Sequence, residues 1–419
     1  MTGTPRILAW AVPAIVLALS VGPRGEGRAA GVGRFAQGQP LAWQDTIRNL
    51  RHPDAKIRLA AVEALGNAGY TAAAEPVAPL IVDLDDHVQF AAIDAELTFF
   101  LVESIGSRRI LSFGASHSRA QEAFDAGPLV RLPGPAPAVV VDNLIAAIRA
   151  QNARIRFDAV HAVGVVAQAP LTPAQATALV DGLDHYDPVI RAATARVLGR
   201  LRTREAGDKL IGCLNDSSAL VRRFAIESLG LIREERAVTA LRNLFGFYGK
   251  GDLAAETLLA LARIGHGSAR DLFRAHLADD NPAIRRAAAE GLGRLGDRDS
   301  LGALQQIITS DPAAPVRLAA RFAVGQFGEP QSHLIAASLA STETGAQARD
   351  YLLEIGSPAG PGVESALGVA TDVRHRADLL HVLGFVGNRD AVGIIEPYLK
   401  DRDDRVARAA ANAIARLSR

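Results

Sequence analysis

Cysteine is all but missing from this 419-residue chain: Cys213 is the only one. No disulfide can form within the chain, and no zinc cage built on several thiolates can be assembled. Methionine occurs only at Met1, and lysine is outnumbered by arginine 4 to 42, a skew that reads as GC-rich coding rather than chemistry. Aromatic residues are 5% of the chain while apolar residues are 49%. The apolar content is therefore mostly Ala, Leu and Val, which suits closely stacked helices. An excess of one charge is absent as well, with 46 basic residues against 45 acidic ones. A nucleic-acid binder carries a marked basic excess, so that class is disfavoured.

The usual marks of catalysis are missing too. None of the 10 histidines forms an i, i+4 pair and no His-Glu dipeptide occurs, so a helical metal site has no ligands to draw on. No Gly-x-Ser-x-Gly elbow is present. Tyr248-Gly249-Lys250-Gly251 lacks the Gly-Lys-Ser/Thr ending of a phosphate loop and reads as a turn. Cys213 sits in the apolar stretch Leu210-Ile211-Gly212-Cys213-Leu214 and reads as a packing residue. The expectation is a chain that is not an enzyme and uses no cofactor or metal.

What is abundant is repetition. A phrase of acidic residue and often proline, β-branched residue, arginine, then small apolar residues closing on glycine returns down nearly the whole chain. It runs from Asp279-Asp280-Asn281-Pro282 through Arg285 to Gly296, and again from Asp311 through Arg317 to Gly328. The position that arginine holds recurs at 58, 89, 156, 191, 222, 254, 285, 317, 345, 376 and 407, mostly 31 or 32 apart. A short period sustained this far means a stacked array. Each unit has two helical segments, for example Ala269 to Leu277 and Ala283 to Leu295, separated by a turn rich in Asp, Asn and Pro. Neither helix could bury its apolar face alone, so neighbouring units must supply the other wall. The fold class expected is all-α, an α-solenoid of about 11 two-helix repeats over 41–419 with one insertion at 106–137.

The ends and the break in register carry their own expectations. Arg6 precedes an apolar run from Ile7 to Val21, followed by small residues with Ala18-Leu19-Ser20 and Gly27-Arg28-Ala29 as candidate cleavage signals. That pattern predicts a signal peptide or N-terminal anchor over 1–30, a linker over 31–40, and export to the periplasm or the exterior. The run is short for a spanning helix, which needs roughly 20 residues, so no stable membrane insertion is expected after cleavage. Anchoring by the uncleaved segment is the alternative. Removing residues 1–29 leaves a net charge of −1. Between 89 and 156 no second arginine phrase appears. The second helix there is predicted to run from Val88 to Ile105 and to lead into the insertion, which ends in Pro133-Gly134-Pro135-Ala136-Pro137. Loops of that length inside an array are commonly functional.

The Asp-x-Pro-x-x-Val-Arg then Ala-x-x-Ala-Leu-Gly pattern resembles HEAT repeats, and the short period resembles the variety named after phycobilisome lyases. The resemblance implies a superhelix whose second helices line a concave face that binds another protein. Arg222, Arg285 and Arg317 each follow an aspartate by six positions, namely Asp216, Asp279 and Asp311. That spacing predicts a structural ladder in which each arginine pairs with the aspartate of its own turn. His52, Ala150 and His185 precede Arg58, Arg156 and Arg191 instead, so those three guanidiniums are expected to be free. Together with Arg108, Arg109, Phe113, Phe124 and Arg131 of the insertion they form the candidate surface for another protein, acidic or carboxylate-bearing. A lyase-like or chaperone-like subunit acting on a cofactor-bearing protein is the alternative that the resemblance suggests.

Overall fold

The computed structural model describes residues 43–101, 118–127, 134–167, 170–249 and 251–418. The expected segments 1–30 and 31–40, and the candidate residues Arg108, Arg109, Phe113 and Arg131, lie outside them. Residues Trp43–Arg419 form one compact unit. Helices pair in chain order: α1 (Gln44–Asn49) with α2 (Ala55–Asn67), then α3 (Ala74–Val77) with α4 (Asp86–Phe100). Helix α5 (Arg119–Ala126) belongs to no pair. The pairing resumes with α6 (Ala138–Ala147) and α7 (Ala153–Val166), α8 (Pro173–Val180) and α9 (Pro188–Arg200), and α10 (Gly207–Cys213) and α11 (Ala219–Leu231). It continues through α12 (Val238–Tyr248) and α13 (Asp252–Ile264), α14 (Arg270–Ala275) and α15 (Pro282–Arg294), and α16 (Leu301–Ser310) and α17 (Ala314–Gln326). The last pairs are α18 (Ser332–Ala337) with α19 (Gly345–Ile355), α20 (Gly360–Val369) with α21 (Val373–Val386), and α22 (Ala391–Ile395) with α23 (Asp404–Leu417). Eleven pairs are thus present among the described residues. None of their helices is long and apolar enough to cross a membrane.

The turn chemistry explains where the second helices start and stop. Asp54, Asp85, Asn152, Asp187, Asn281 and Asp403 cap them through their side chains, and Pro188 and Pro282 occupy first helical positions. Most of these helices end eleven residues after the arginine position in a residue of positive φ, as at Gly69, Gly265, Gly296 and Gly328. Arginine fills that left-handed position at Arg202 (φ 52) and Arg233 (φ 56), where a side chain is strained.

Successive second helices then stack on one another. Seven residues after the arginine position stand Leu65, Val163, Leu198, Leu229, Leu261, Leu292, Val324, Leu352 and Leu383, all buried. The next residue is commonly glycine, because the neighbouring backbone lies there: a Cβ on Gly293 would sit 2.5 Å from the Ala323 Cα, and one on Gly230 2.8 Å from the Ala260 Cα. These helices form the inner layer of the curve. Arg233, in the fifth pair, reaches Glu354, in the ninth, at 3.5 Å, a contact that only the inside of a closed bend permits.

One feature differs from expectation. Helix α4 ends at Phe100, and Leu101 is already extended (φ −107, ψ 150), so the expected continuous helix is interrupted there; the rest of its expected span, to Ile105, lies outside the described residues. Helices α4 and α7 pack directly as successive inner helices, and the extra chain between them includes α5.

Candidate functional site

The arginine column makes a ladder, but not within single turns. Arg285 donates Nη1 to the carbonyls of Asp279 (2.8 Å) and Asp280 (3.1 Å) in its own turn. Its Nε and Nη2 grip Asp311 of the next pair at 2.8 and 3.1 Å. Arg58 does the same with Asp83, at 2.8 and 2.7 Å, and Arg191 with Asp216, at 2.8 Å for both. Arg376 reaches Asp401 at 3.2 Å. Each of these aspartates also accepts the backbone N–H two residues on, which fixes the turn.

The aspartate six residues before an arginine therefore serves the arginine of the preceding unit, while its own arginine takes only its carbonyl. This reverses the expected pairing. Asp216 belongs to Arg191 rather than Arg222, and Asp311 to Arg285 rather than Arg317. Tyr248 and Leu339 stand where the aspartates for Arg222 and Arg317 would be. Asp279 has Ala254 in the preceding unit and is held by His276 Nδ1 at 3.1 Å. The three guanidiniums expected to be free are also engaged. Arg58 and Arg191 have complete ladder bonds. Arg156, whose next unit offers His185 instead of aspartate, donates to the Tyr186 hydroxyl at 2.9 Å and to the carbonyls of Ala150 and Gln151. All three guanidiniums thus tie turns of successive units together and are not free, contrary to expectation.

The inner face gathers the remaining chemistry. Helix α5 lies on it, against α7. Arg119 anchors its start by donating to Asp94 Oδ1 (2.5 Å) and Thr98 Oγ1 (2.9 Å) of α4. Phe124, expected to face a partner, is instead fully buried. Its ring meets His161 edge-on at 5.6 Å, and the guanidiniums of Arg200 and Arg196 lie over it at 4.0 and 5.0 Å. Arg200 also donates to the Phe124 carbonyl, and Arg196 pairs with Asp125 at 2.6 Å. Gly164 makes the room, since any Cβ there would collide with the ring. Beyond the end of α5, a Cβ on Gly127 would lie 3.8 Å from Arg349 Nη2. Arg200, Arg263, Arg286 and Arg349 are all near enough to Asp350 to act on its carboxylate.

A fully buried carboxylate sits in the same layer. Glu290 accepts from Arg286 Nε (2.9 Å) and Tyr351 Oη (2.6 Å) on one oxygen and from Arg294 Nη1 (2.8 Å) on the other. Arg294 continues to Glu354 through two bonds of 2.8 Å, and Gln347 donates to the Tyr351 hydroxyl at 2.7 Å. Burial alone would push the Glu290 carboxyl up. Arg294, Arg286 and the hydroxyl outweigh it and bring it to about 2. The cluster ties the fifth, seventh and ninth pairs together through the bridge to Arg233.

Glu96 of α4 is the opposite case. It occupies the position seven after the arginine column where the other pairs carry Leu, Val or, in the last, Ile414, and it is completely buried. Neither oxygen has a hydrogen-bond partner among the described residues, and burial pushes its carboxyl up to about 9. Glu96, Arg196, Arg200, Glu290, Arg294, Tyr351 and Glu354 were all missed in the sequence. Aligning the units by the arginine column would have exposed Glu96 as the odd residue in its row. The rows five and nine residues on would have shown the inner-face charges.

Residues 176–246 and 250–325, from α8 through α17, match the family model for HEAT repeats. Those residues carry HEAT repeats, and the fold of the described residues is a HEAT-like α-solenoid. No curated protein matches it. Among solved structures it is similar to an engineered protein, at 17% identity and TM-score 0.38, over 90% of this chain and 99% of that one. It is also similar to the complex of CpcE and CpcF of phycocyanin lyase from Nostoc sp. PCC7120, at 22% identity and TM-score 0.37, over 68% of this chain and 96% of that one. A third similar structure is importin beta, at 13% identity and TM-score 0.36, over 90% of this chain and 57% of that one.

Proposed function

We propose that this chain is a non-catalytic scaffold that receives a segment of another protein on the inner face of its curve, outside the cytoplasm. One observation carries the reading. The inner face already holds a peptide segment, α5, by a buried ring, a carbonyl and an ion pair, which are the bonds that peptide recognition uses. Beyond α5 the same face presents Arg263 and Arg349, which suit a partner with carboxylates. The proposed location rests on the Arg6-led apolar run and the small residues after it, with anchoring by that segment as the alternative. No side-chain cluster among the described residues favours a lyase-like or chaperone-like action on a cofactor-bearing protein over simple docking.

The test pairs proximity labelling by the intact protein with labelling by Arg263→Glu/Arg349→Glu. The charge-reversed protein should keep its helical circular dichroism and lose its labelled neighbours. An unchanged set of neighbours would put docking somewhere other than the inner face. N-terminal sequencing of fractionated protein reads the location, and an intact Met1 terminus in the cytoplasm would refute export.

A further inference from the structure

We infer that α5 is a removable occupant, and that the slot between α7 and α9 is the docking site for a partner helix bearing an aromatic residue followed directly by an acidic one. This rests on the scaffold reading and adds to it the place, the partner motif and a reason for the insertion.

The slot is a feature of the array, not of α5. Elsewhere the inner-helix glycine meets a small residue of the next helix: Ala95 faces Gly66, Ser228 faces Gly199, Ala260 faces Gly230 and Ala323 faces Gly293. Opposite Gly164 stands Val197, and α7 and α9 pack less closely than most successive inner helices. The glycine and the branched residue meet, with Val197 Cγ2 only 3.0 Å from where a Cβ on Gly164 would stand, and the bare glycine leaves the place beside them that the Phe124 ring takes.

The walls carry recognition groups of their own. His161 is fixed by its Nδ1 bond to the Phe157 carbonyl (2.8 Å) and offers a ring edge-on. Arg200 covers the other side of the gap and binds the carbonyl of the aromatic residue. Arg196 then selects the next side chain, because it stands 2.6 Å from the Asp125 carboxylate. An aromatic ring, its own carbonyl and an acid one residue later together define a motif. Any helix that supplies them satisfies the slot as well as α5 does.

Helix α5 is suited to leave. It has only 8 residues, below the length at which an isolated helix holds itself together. Its grip is the Phe124 ring with the small buried Ala120 and Ala123, the bonds from Arg200 to the Phe124 carbonyl and from Arg119 to Thr98, and two ion pairs whose carboxylates, Asp94 and Asp125, are about half-exposed. A partner helix need not stop at Gly127, since Arg349 lies just past that point and can take a further acid.

The experiment uses a fluorescent peptide of residues 118–127 and the full chain. Phe124→Ala/Asp125→Ala should bind the peptide at least tenfold more tightly than the unaltered protein, in which α5 competes. Adding Arg200→Ala to that variant, or replacing the peptide's phenylalanine by alanine, should weaken binding at least tenfold. A helical variant that does not bind the peptide overturns the inference, as does equal binding by the unaltered protein. Hydrogen exchange on the unaltered chain decides the matter even if the variant fails to fold. The amides of α5 should exchange at least a hundredfold faster than those of α7 and α9, and equal protection would mean that α5 is a fixed part of the wall. Peptide binding involves no cellular partner, so its failure with the Arg263/Arg349 labelling result intact would sink this inference alone.

Discussion

Replacing Glu96 by leucine should stabilise the protein, and by an amount that depends on pH. The folded carboxyl titrates near 9 and the ordinary value is 4.5, so between those values folding takes up a proton. Stability from the neutral acid is complete below pH 4.5 and is lost as pH rises through about 9. Each pH unit in that window costs about 1.4 kcal/mol, which makes about 3 kcal/mol at pH 7 and about 6 kcal/mol at pH 9. Leucine, the residue that most other pairs use at this point, has no proton to take up. Denaturant melts of the unaltered protein and Glu96→Leu at pH 5, 7 and 9 would measure the gap. Trp43, stacked on Tyr70 at 5.6 Å, is a fluorescent reporter in the first pair, beside α4's neighbour α2. The gap should widen steadily with pH and level off above 9. A gap that stays constant from pH 5 to 9 would show that Glu96 is ionised in the fold and has found a partner, which would refute the reasoning.

Arg285→Ala should cost about 1–2 kcal/mol, since Asp311 loses both its bonds from the guanidinium and two turn carbonyls lose a donor. Arg58→Ala should lower the thermal midpoint comparably, because it makes the same set of bonds; a silent Arg58→Ala would disprove an equivalent ladder. Glu290→Gln should cost about 3–5 kcal/mol by leaving Arg286 and Arg294 without their shared charge, against about 1–2 kcal/mol for Tyr351→Phe. The depressed Glu290 carboxyl contributes stability above pH 4.5 that is lost as pH falls towards 2, so the gap between Glu290→Gln and the unaltered protein should close in acid melts. Arg202→Gly should stabilise by about 0.5–1 kcal/mol, the relief of a left-handed side chain less the entropy that glycine adds to the unfolded chain. A loss of stability in urea melts would mean that the Arg202 side chain makes contacts worth more than its strain.

The two-helix unit was legible because its signals are local: capping residues, proline at first helical positions and a glycine at the end act within one turn of chain. The ladder was half legible. Asp311 precedes Arg317 by six residues and follows Arg285 by 26, and spacing alone does not choose between them. Direction does. A helical side chain points back towards its own N-terminus, so Arg317 meets the carbonyls of Asp311 and Pro312 while the Asp311 carboxylate is turned to Arg285. The inner face was hidden for a different reason. Arg233 and Glu354, or Gly127 and Arg349, come together only because small rotations accumulate over several pairs, and curvature of that kind has no residue of its own. The buried Glu290 cluster lies where the bend brings distant pairs together, and α5 lies under the same bend. The charges that close the curve and the slot that holds a helix therefore belong to one surface. A partner that displaces α5 would press on the layer of helices whose spacing the Glu290 cluster sets.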